Sequence, residues 1–403
     1  MDNKIVIYGG TSLVRDDEDS LGWSQADIAV TGSRLGKMNT MTGAAIRGAN
    51  AAFNADGLLV LPGIVDLHGD AFERQIQPRP GTAFSHDIAM ADTDRQLICN
   101  GITTACHGLT YSWEGGLRGR DAALALIDQL ALQRDTFQAD HLLHLRFENH
   151  HLDGLQDALD WISQGKVDFF AFNEHMPSIA GKSALPEKLA VYAERARCSV
   201  PDFLQRLHAA QSRASEVAAA INTLAAACRL HDIPMASHDD ETCLDRERYH
   251  GLGVTISEFP KTREALCTAV ALGNRVVMGA PNVLLGGSHC GGLAAAEAVR
   301  DGMCDILSSD YYYPSMLHAA FKLANNKVCS LPKAWSLISE NPAIALGLDD
   351  RGRIKEGCRA DLLLVDASVP GTARLIATIA GGKLVYCTEP ERMLALPALS
   401  LAA

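Results

Sequence analysis

Short apolar runs recur along this chain, and several of them stop at a histidine or an acid. LPGIVDLHGD ends at Asp70, HLLHLRFE at Glu148, VDFFAFNEH at His175, IPMASH at His238 and DILSSD at Asp310. Helical patterns fill the intervals. The alanine-rich segment 201–232 has no internal glycine or proline and predicts one long helix or a helical pair before the next strand. Eight strands are predicted near 61–67, 102–106, 142–147, 167–173, 233–237, 253–258, 275–279 and 304–309. Such alternation is the mark of repeated strand–helix units and a parallel sheet. Five strands that end in ligand-type side chains point to a closed barrel, whose strand C-termini surround one mouth.

The two chain ends read differently. Residues 1–60 are short strand-like runs broken at RDDEDS, and RGRIKEGCRADLLLVD and KLVYCTE near the other end are again strand-like with glycine at the turns. The predicted fold is therefore α/β: a (β/α)8 TIM-like barrel over 61–345, joined to a small β domain built from 1–60 and 346–403.

Alternation tests whether the polar residues can share a cavity. Side chains on one face of a strand recur every second residue. Asp66, His68 and Asp70 then lie opposite Val65 and Leu67, while His144, Arg146 and Glu148 lie opposite Leu143, Leu145 and Phe147. Ser308 and Asp310 likewise share a face. The apolar side can pack on helices and the polar side can line the mouth.

Imidazoles mixed with carboxylates suit zinc, manganese or iron and are too rich in nitrogen for calcium. The expected metal ligands are His68, Asp70, Glu148, His175, His238 and Asp310. His68 and Asp70 would hold one ion, His175 and His238 a second, and Glu148 would bridge. Asp310 would also accept the proton of the attacking water, making it the catalytic base. A salt bridge between Glu148 and Arg146 is the structural alternative for that glutamate. His107 and His144 are expected to pack or support rather than ligate, and Asp239 and Asp240 either orient the His238 ring or form a solvated turn.

Composition narrows the class. With 47% apolar residues in 403, the chain can bury a large core, and no apolar stretch is long enough to span a bilayer. A formal charge of −12 argues against non-specific nucleic-acid binding. Eleven cysteines without a C-x-x-C pair, behind a start that lacks a secretory pattern, fit reduced thiols in a cytoplasm. The oligomeric state stays open, a homo-oligomer included.

Two loops bear on substrate. The loop after the first strand carries Arg74 and Arg79, and the glycine-rich loop GAPNVLLGGSHCGG (279–292) follows the seventh. Barrels commonly bind phosphate through loops after strands seven and eight, so Gly286, Gly287, Ser288 and His289 are candidate contacts beside the two arginines. A tight turn into the next helix is the plain alternative.

These motifs resemble the amidohydrolase superfamily, and within it the PhnM-like phosphonate-utilisation branch over nearly the whole length. The matching pieces include LPGIVDLHGD, QPRP, GITT, HLLHLRFE, MASHDD, EFPKTREA, MGAPNVLLGGSHCGG, DILSSDYYYPSML and SLISENPAIALGL. The resemblance implies a metal-dependent hydrolase that cleaves a ribose 1-alkylphosphonate 5-triphosphate, a small phosphorylated substrate, to the 5-phosphate and pyrophosphate. It also implies the six ligands named above. Hydrolysis of a carbon–nitrogen bond, the superfamily's commoner chemistry, is the alternative. AFERQ after Asp70 and HGLTYSWEGGLRG after the second strand depart from the family pattern. So does segment 176–213, which keeps Lys182, Lys188, Arg195, Arg197, Arg206 and Arg213 but is less basic than a triphosphate clamp would favour.

Overall fold

The computed structural model describes residues 4–15, 20–39, 49–79, 81–183, 185–287 and 292–395. Eight parallel strands form one sheet in chain order: Ile64–Gly69, Ile102–Tyr111, Asp140–Glu148, Phe169–Asn173, Met235–His238, Ile256–Glu258, Arg275–Gly279 and Ile306–Ser308. They are numbered one to eight below. The eighth returns to the first just beyond its last residue. Asp310 N donates to His68 O at 3.0 Å, and Asp70 N donates to Asp310 O at 2.9 Å. This parallel bridge between Gly69 and Asp310 closes the sheet into the expected barrel at its C-terminal mouth.

Most of these strands are buried on both faces, as parallel strands covered by helices should be. Phe147, Phe170, Phe172, Met235 and Val254 meet Ala158, Trp161, Ile162, Ile221 and Leu224 in one apolar layer. Segment 201–232 resolves into a pair of helices, Val200–Ser212 and Val217–Leu230. At the break the Arg213 side chain turns to Glu216 (2.9 Å) and Asp153 (2.6 Å).

By compactness the chain divides into two units: 67–93 with 105–312, and 1–66 with 94–104 and 313–403. The second holds two small sheets built from both chain ends. In one, strands 11–15, 21–24 and 59–62 join 362–366, 374–380 and 383–387. In the other, 4–8, 27–31, 34–39 and 51–54 take Met393–Ala395 on one edge. Ile5, Ile28, Phe53 and Val60 share a core with Leu362, Leu364 and Ile376.

The sequence predicted one strand over 61–67, and the structure shows two. Leu59–Pro62 belongs to a small sheet and Ile64–Gly69 to the barrel, with Gly63 as the joint. A Cβ on Gly63 would lie 2.3 Å from Thr103 Oγ1 and 2.8 Å from Asp361 Cβ. Only glycine lets the backbone pass there. Gly63→Ala is expected to lower stability by about 1–3 kcal/mol through overpacking, read as a lower urea midpoint with an unchanged slope.

Candidate active site

Six of the eight strands deliver a polar side chain to the mouth. The first brings His68 and then Asp70. The third brings His144, Arg146 and Glu148 from one face, as alternation required. The fourth leads to His175, the residue that opens helix Met176–Lys182, and the fifth ends at His238. The sixth ends at Glu258, and the eighth is followed by Asp310. Asp239 (φ 66°), Phe259 (φ 53°) and Asp310 (φ 54°) all hold left-handed backbone at the mouth. Residues without glycine's freedom seldom adopt it, and such strain gathers where side chains must be aimed.

The imidazoles form a contiguous row. His68 and His238 stack with centroids 5.4 Å apart, His175 meets His238 edge-on at 5.7 Å, and His144 meets His68 edge-on at 4.9 Å. The Phe259 ring packs edge-on against both His68 (4.9 Å) and His238 (5.2 Å). Among the described residues, ligand-type atoms within 4.8 Å of one another fall into three sets, two of which share His68: His68, Asp70 and Asp310; His68, His144 and Glu258; and His175, His238 and Asp239.

Glu258 is the residue that sequence reasoning missed. Its carboxylate is fully buried; Oε1 lies 3.0 Å from His68 Nδ1, and Oε2 lies 3.4 Å from His238 Nδ1 and 3.8 Å from His144 Nε2. A carboxylate behind Nδ1 fixes the tautomer and turns Nε2 toward the cavity as a lone-pair donor. Burial, aided by the Arg146 guanidinium, pushes the His68 pKa down to about 3, and burial holds His144 and His238 well below the usual histidine range. All three are neutral at pH 7, the form that can ligate a cation. His68 Nε2 and both His144 nitrogens are buried without a hydrogen-bond partner. Orphaned, neutral imidazole nitrogens beside carboxylates are what a divalent ion satisfies, so the residues fit a metal. The one sign in the sequence was an acid at the end of a sixth apolar strand, with no histidine beside it.

The other expected residues fall into place unevenly. Glu148 faces His175: Oε2 is 3.1 Å from Nδ1, while Oε1 accepts from the backbone N–H of His175 (2.9 Å) and Met176 (3.3 Å). Its neighbour on the strand face, Arg146, turns away from it. Arg146 donates to Asp70 Oδ2 at 3.3 Å and lies 3.1 Å from His238 Nε2, a fixed positive charge between two expected ligands. Asp239 pairs with Lys261 at 3.4 Å, whereas Asp240 is buried against Arg246 (3.0 Å) and Ser237 (2.6 Å). His107 bonds to His141 at 2.8 Å, apart from the row.

Among the substrate contacts expected from sequence, Arg74 donates to Tyr311 O and so ties the loop after the first strand to the loop after the eighth. Arg79 is exposed. Gly286 and Gly287 do not present open donors, because both of their N–H groups bond to Asn282 O at 3.1 Å and cap helix Ala280–Leu285. Ser288 and His289 lie outside the described residues.

The sequence pattern of the amidohydrolase family matches residues 210–385. The alpha-D-ribose 1-methylphosphonate 5-triphosphate diphosphatase of Escherichia coli (strain K12) is 36% identical over 321 residues, which are 78% of this chain and 84% of that protein. The chain belongs to the amidohydrolase family, in its PhnM-like branch. This amidohydrolase is also 27% identical over 212 residues to the imidazolonepropionase of Ruegeria sp. (strain TM1040), about half of each chain. Its fold matches the dihydropyrimidinase of Brevibacillus agri NCHU1002 with a TM-score of 0.57 at 15% identity, covering 95% of both chains. That likeness establishes the architecture alone. Membership makes the chain a metal-dependent hydrolase, consistent with the donor set at its mouth.

Removing one oxygen's charge from the buried carboxylate tests its role in this amidohydrolase. Glu258→Gln is expected to weaken divalent-ion affinity by about 10–100-fold, measured by chelator competition on folded protein.

Proposed function

We propose that this amidohydrolase cleaves a ribose 1-alkylphosphonate 5-triphosphate to the 5-phosphate and pyrophosphate. The observation that carries the reading is the 36% identity to a ribose 1-methylphosphonate 5-triphosphate diphosphatase across 84% of its length. The mouth supports it with imidazoles and carboxylates gathered in close sets. His68, Asp70, Glu148, His175, His238 and Asp310 are the ligands we assign, and neutral imidazoles among carboxylates favour zinc, with manganese or iron as alternatives. When bound, the divalent ion supplies Lewis acidity, which acidifies water and offsets charge on phosphoryl oxygens.

The protein's own groups do the rest. Asp310 lies in one set with His68 and Asp70, and its backbone is pinned on both sides by the bridge to the first strand. That fixed carboxylate accepts a proton from water as the water oxygen adds at phosphorus. The α–β anhydride bond then breaks, and pyrophosphate leaves. Burial keeps His68 and His238 neutral, and Glu258 keeps their rings aimed. Arg146 places a permanent positive charge at the mouth, where phosphoryl charge develops. Arg74 and Arg79 are the phosphate contacts we retain on the loop after the first strand. The glycine N–H groups at 286 and 287, already bonded to Asn282, are less able to serve.

The compartment we assign is the reducing cytoplasm. Ten cysteines among the described residues are thiols, and no described helix is long and apolar enough to cross a membrane.

Phosphorus NMR of metal-loaded protein with ribose 1-methylphosphonate 5-triphosphate tests the reaction. Pyrophosphate should appear only with metal. Asp310→Asn should keep enough metal to be assayed and lose about 10²–10⁴ in turnover. Full activity in that variant would remove Asp310 as the base. An intact triphosphate over a loaded site would remove the substrate and direct attention to carbon–nitrogen bonds.

A further inference from the structure

A cleft of about 870 Å³ opens beside the metal-ligand row, in the size range of sites that enclose drug-sized ligands, roughly 300–1,000 Å³. Its walls come from the loops after the first and second strands and from the helix Arg120–Gln133. Phe72 and Glu73, which line it, directly follow the Asp70 turn, and Glu73 is within electrostatic reach of Asp70 and Arg146. The cleft therefore begins at the residues that directly follow the Asp70 turn. Most of its surface is apolar, with Phe84, Trp113, Leu117 and Leu126 among the lining.

Its polar edge is built from the inserted helices. Glu114 is buried and bonds with Arg118 at 3.2 Å and with Arg195, while Arg206 donates to the Glu114 carbonyl at 2.6 Å. Arg118 and Arg195 thus share the Glu114 carboxylate while Arg206 holds its backbone, and of the acids that line the cleft Asp153 and Asp157 are paired with Arg213 and Arg120. Two glycines make this docking possible. A Cβ on Gly115 (φ 80°) would meet Arg206 Nη1 at 2.5 Å, and one on Gly116 (φ 58°) would meet the Arg195 carbonyl oxygen at 2.5 Å. Arg197, held at φ 50° in the turn after helix Pro186–Arg195, also lines the cleft, as does Arg206. Trp113 Nε1 and Arg195 Nε are buried donors without partners. A methyl group would leave nearly all of this apolar space to water.

We propose that the cleft binds the non-reacting end of the substrate, an anionic phosphonate held by Arg197 and Arg206 whose organic group is larger than methyl and packs on Phe84, Trp113 and Leu126. This rests on the phosphonate reading above and makes that reading more specific: the substrate is a sugar triphosphate bearing an aryl or long-chain phosphonate. SWEGGLRG forms one wall of this pocket, and segment 176–213 supplies Arg197 and Arg206. No new bond chemistry is involved, since the group held here does not react.

The test is calorimetric titration of the metal-loaded enzyme with two product-type esters, ribose 1-benzylphosphonate 5-phosphate and ribose 1-methylphosphonate 5-phosphate. The benzyl ester should bind about 10–100-fold tighter, the gain expected for burying one phenyl ring. Phe84 is half-exposed, so Phe84→Ala should fold, and it should reduce that ratio to about threefold or less. Arg197→Met should weaken both esters by about tenfold, through loss of a charge-assisted hydrogen bond. Equal binding of the two esters, or a ratio unmoved by Phe84→Ala, would overturn the proposal whether or not the triphosphate is hydrolysed. Preference for the benzyl ester in an enzyme that leaves the triphosphate intact would keep the cleft and remove only the reaction assigned above.

Discussion

The backbone bridge between the first and eighth strands is the constraint on which the site depends. Two hydrogen bonds, from Asp310 N to His68 O and from Asp70 N to Asp310 O, join the ends of strands separated by some 240 residues of chain. They bring the His68, Asp70 and Asp310 side chains into one set. Holding Asp310 in a left-handed conformation costs about 1–3 kcal/mol, and that cost is tolerable only because the closed sheet determines the backbone on both sides. An open sheet would leave the Asp310 carboxylate on a free loop end.

Around that closure the electrostatics are organised by burial. Three imidazoles sit where water cannot solvate a positive charge, so they stay neutral, and one buried carboxylate faces them from behind. Glu258 is tolerable in the interior because its oxygens face ring N–H groups rather than apolar carbon. The fixed cation is Arg146. It lies between Asp70 and His238. A neutral row, a buried anion behind it and a permanent cation beside it make a site suited to a divalent ion and a highly charged substrate.

The loops outside the row build a cleft of their own. Gly115 and Gly116 let the loop after the second strand lie directly on the 195–206 helices, and Glu114 gathers three arginines at that seam. Loops, which vary at low cost, build the cleft, while the strand ends that carry the imidazole row stay within the rigid sheet.

The sequence by itself determined much of this protein, because periodicity and strand ends are local properties. Alternation put His68 with Asp70 and His144 with Arg146 on single faces, and the apolar runs marked all eight strands of the barrel. The strand-like ends at LVLP and DLLLVD were legible as parts of one β domain, and they do share a sheet. What the tertiary structure alone decided are the contacts across strands. Nothing local marks Glu258 as the partner of His68, 190 positions away, or turns Arg146 from Glu148 to Asp70. The same holds for Gly63, whose role as a joint comes from Thr103 and Asp361 pressing on it, and for Gly286 and Gly287, whose donors are used by their own helix end. Propensity and pattern specify which way a side chain faces, but the partner it meets is set by closure of the barrel, which brings distant residues within bonding distance.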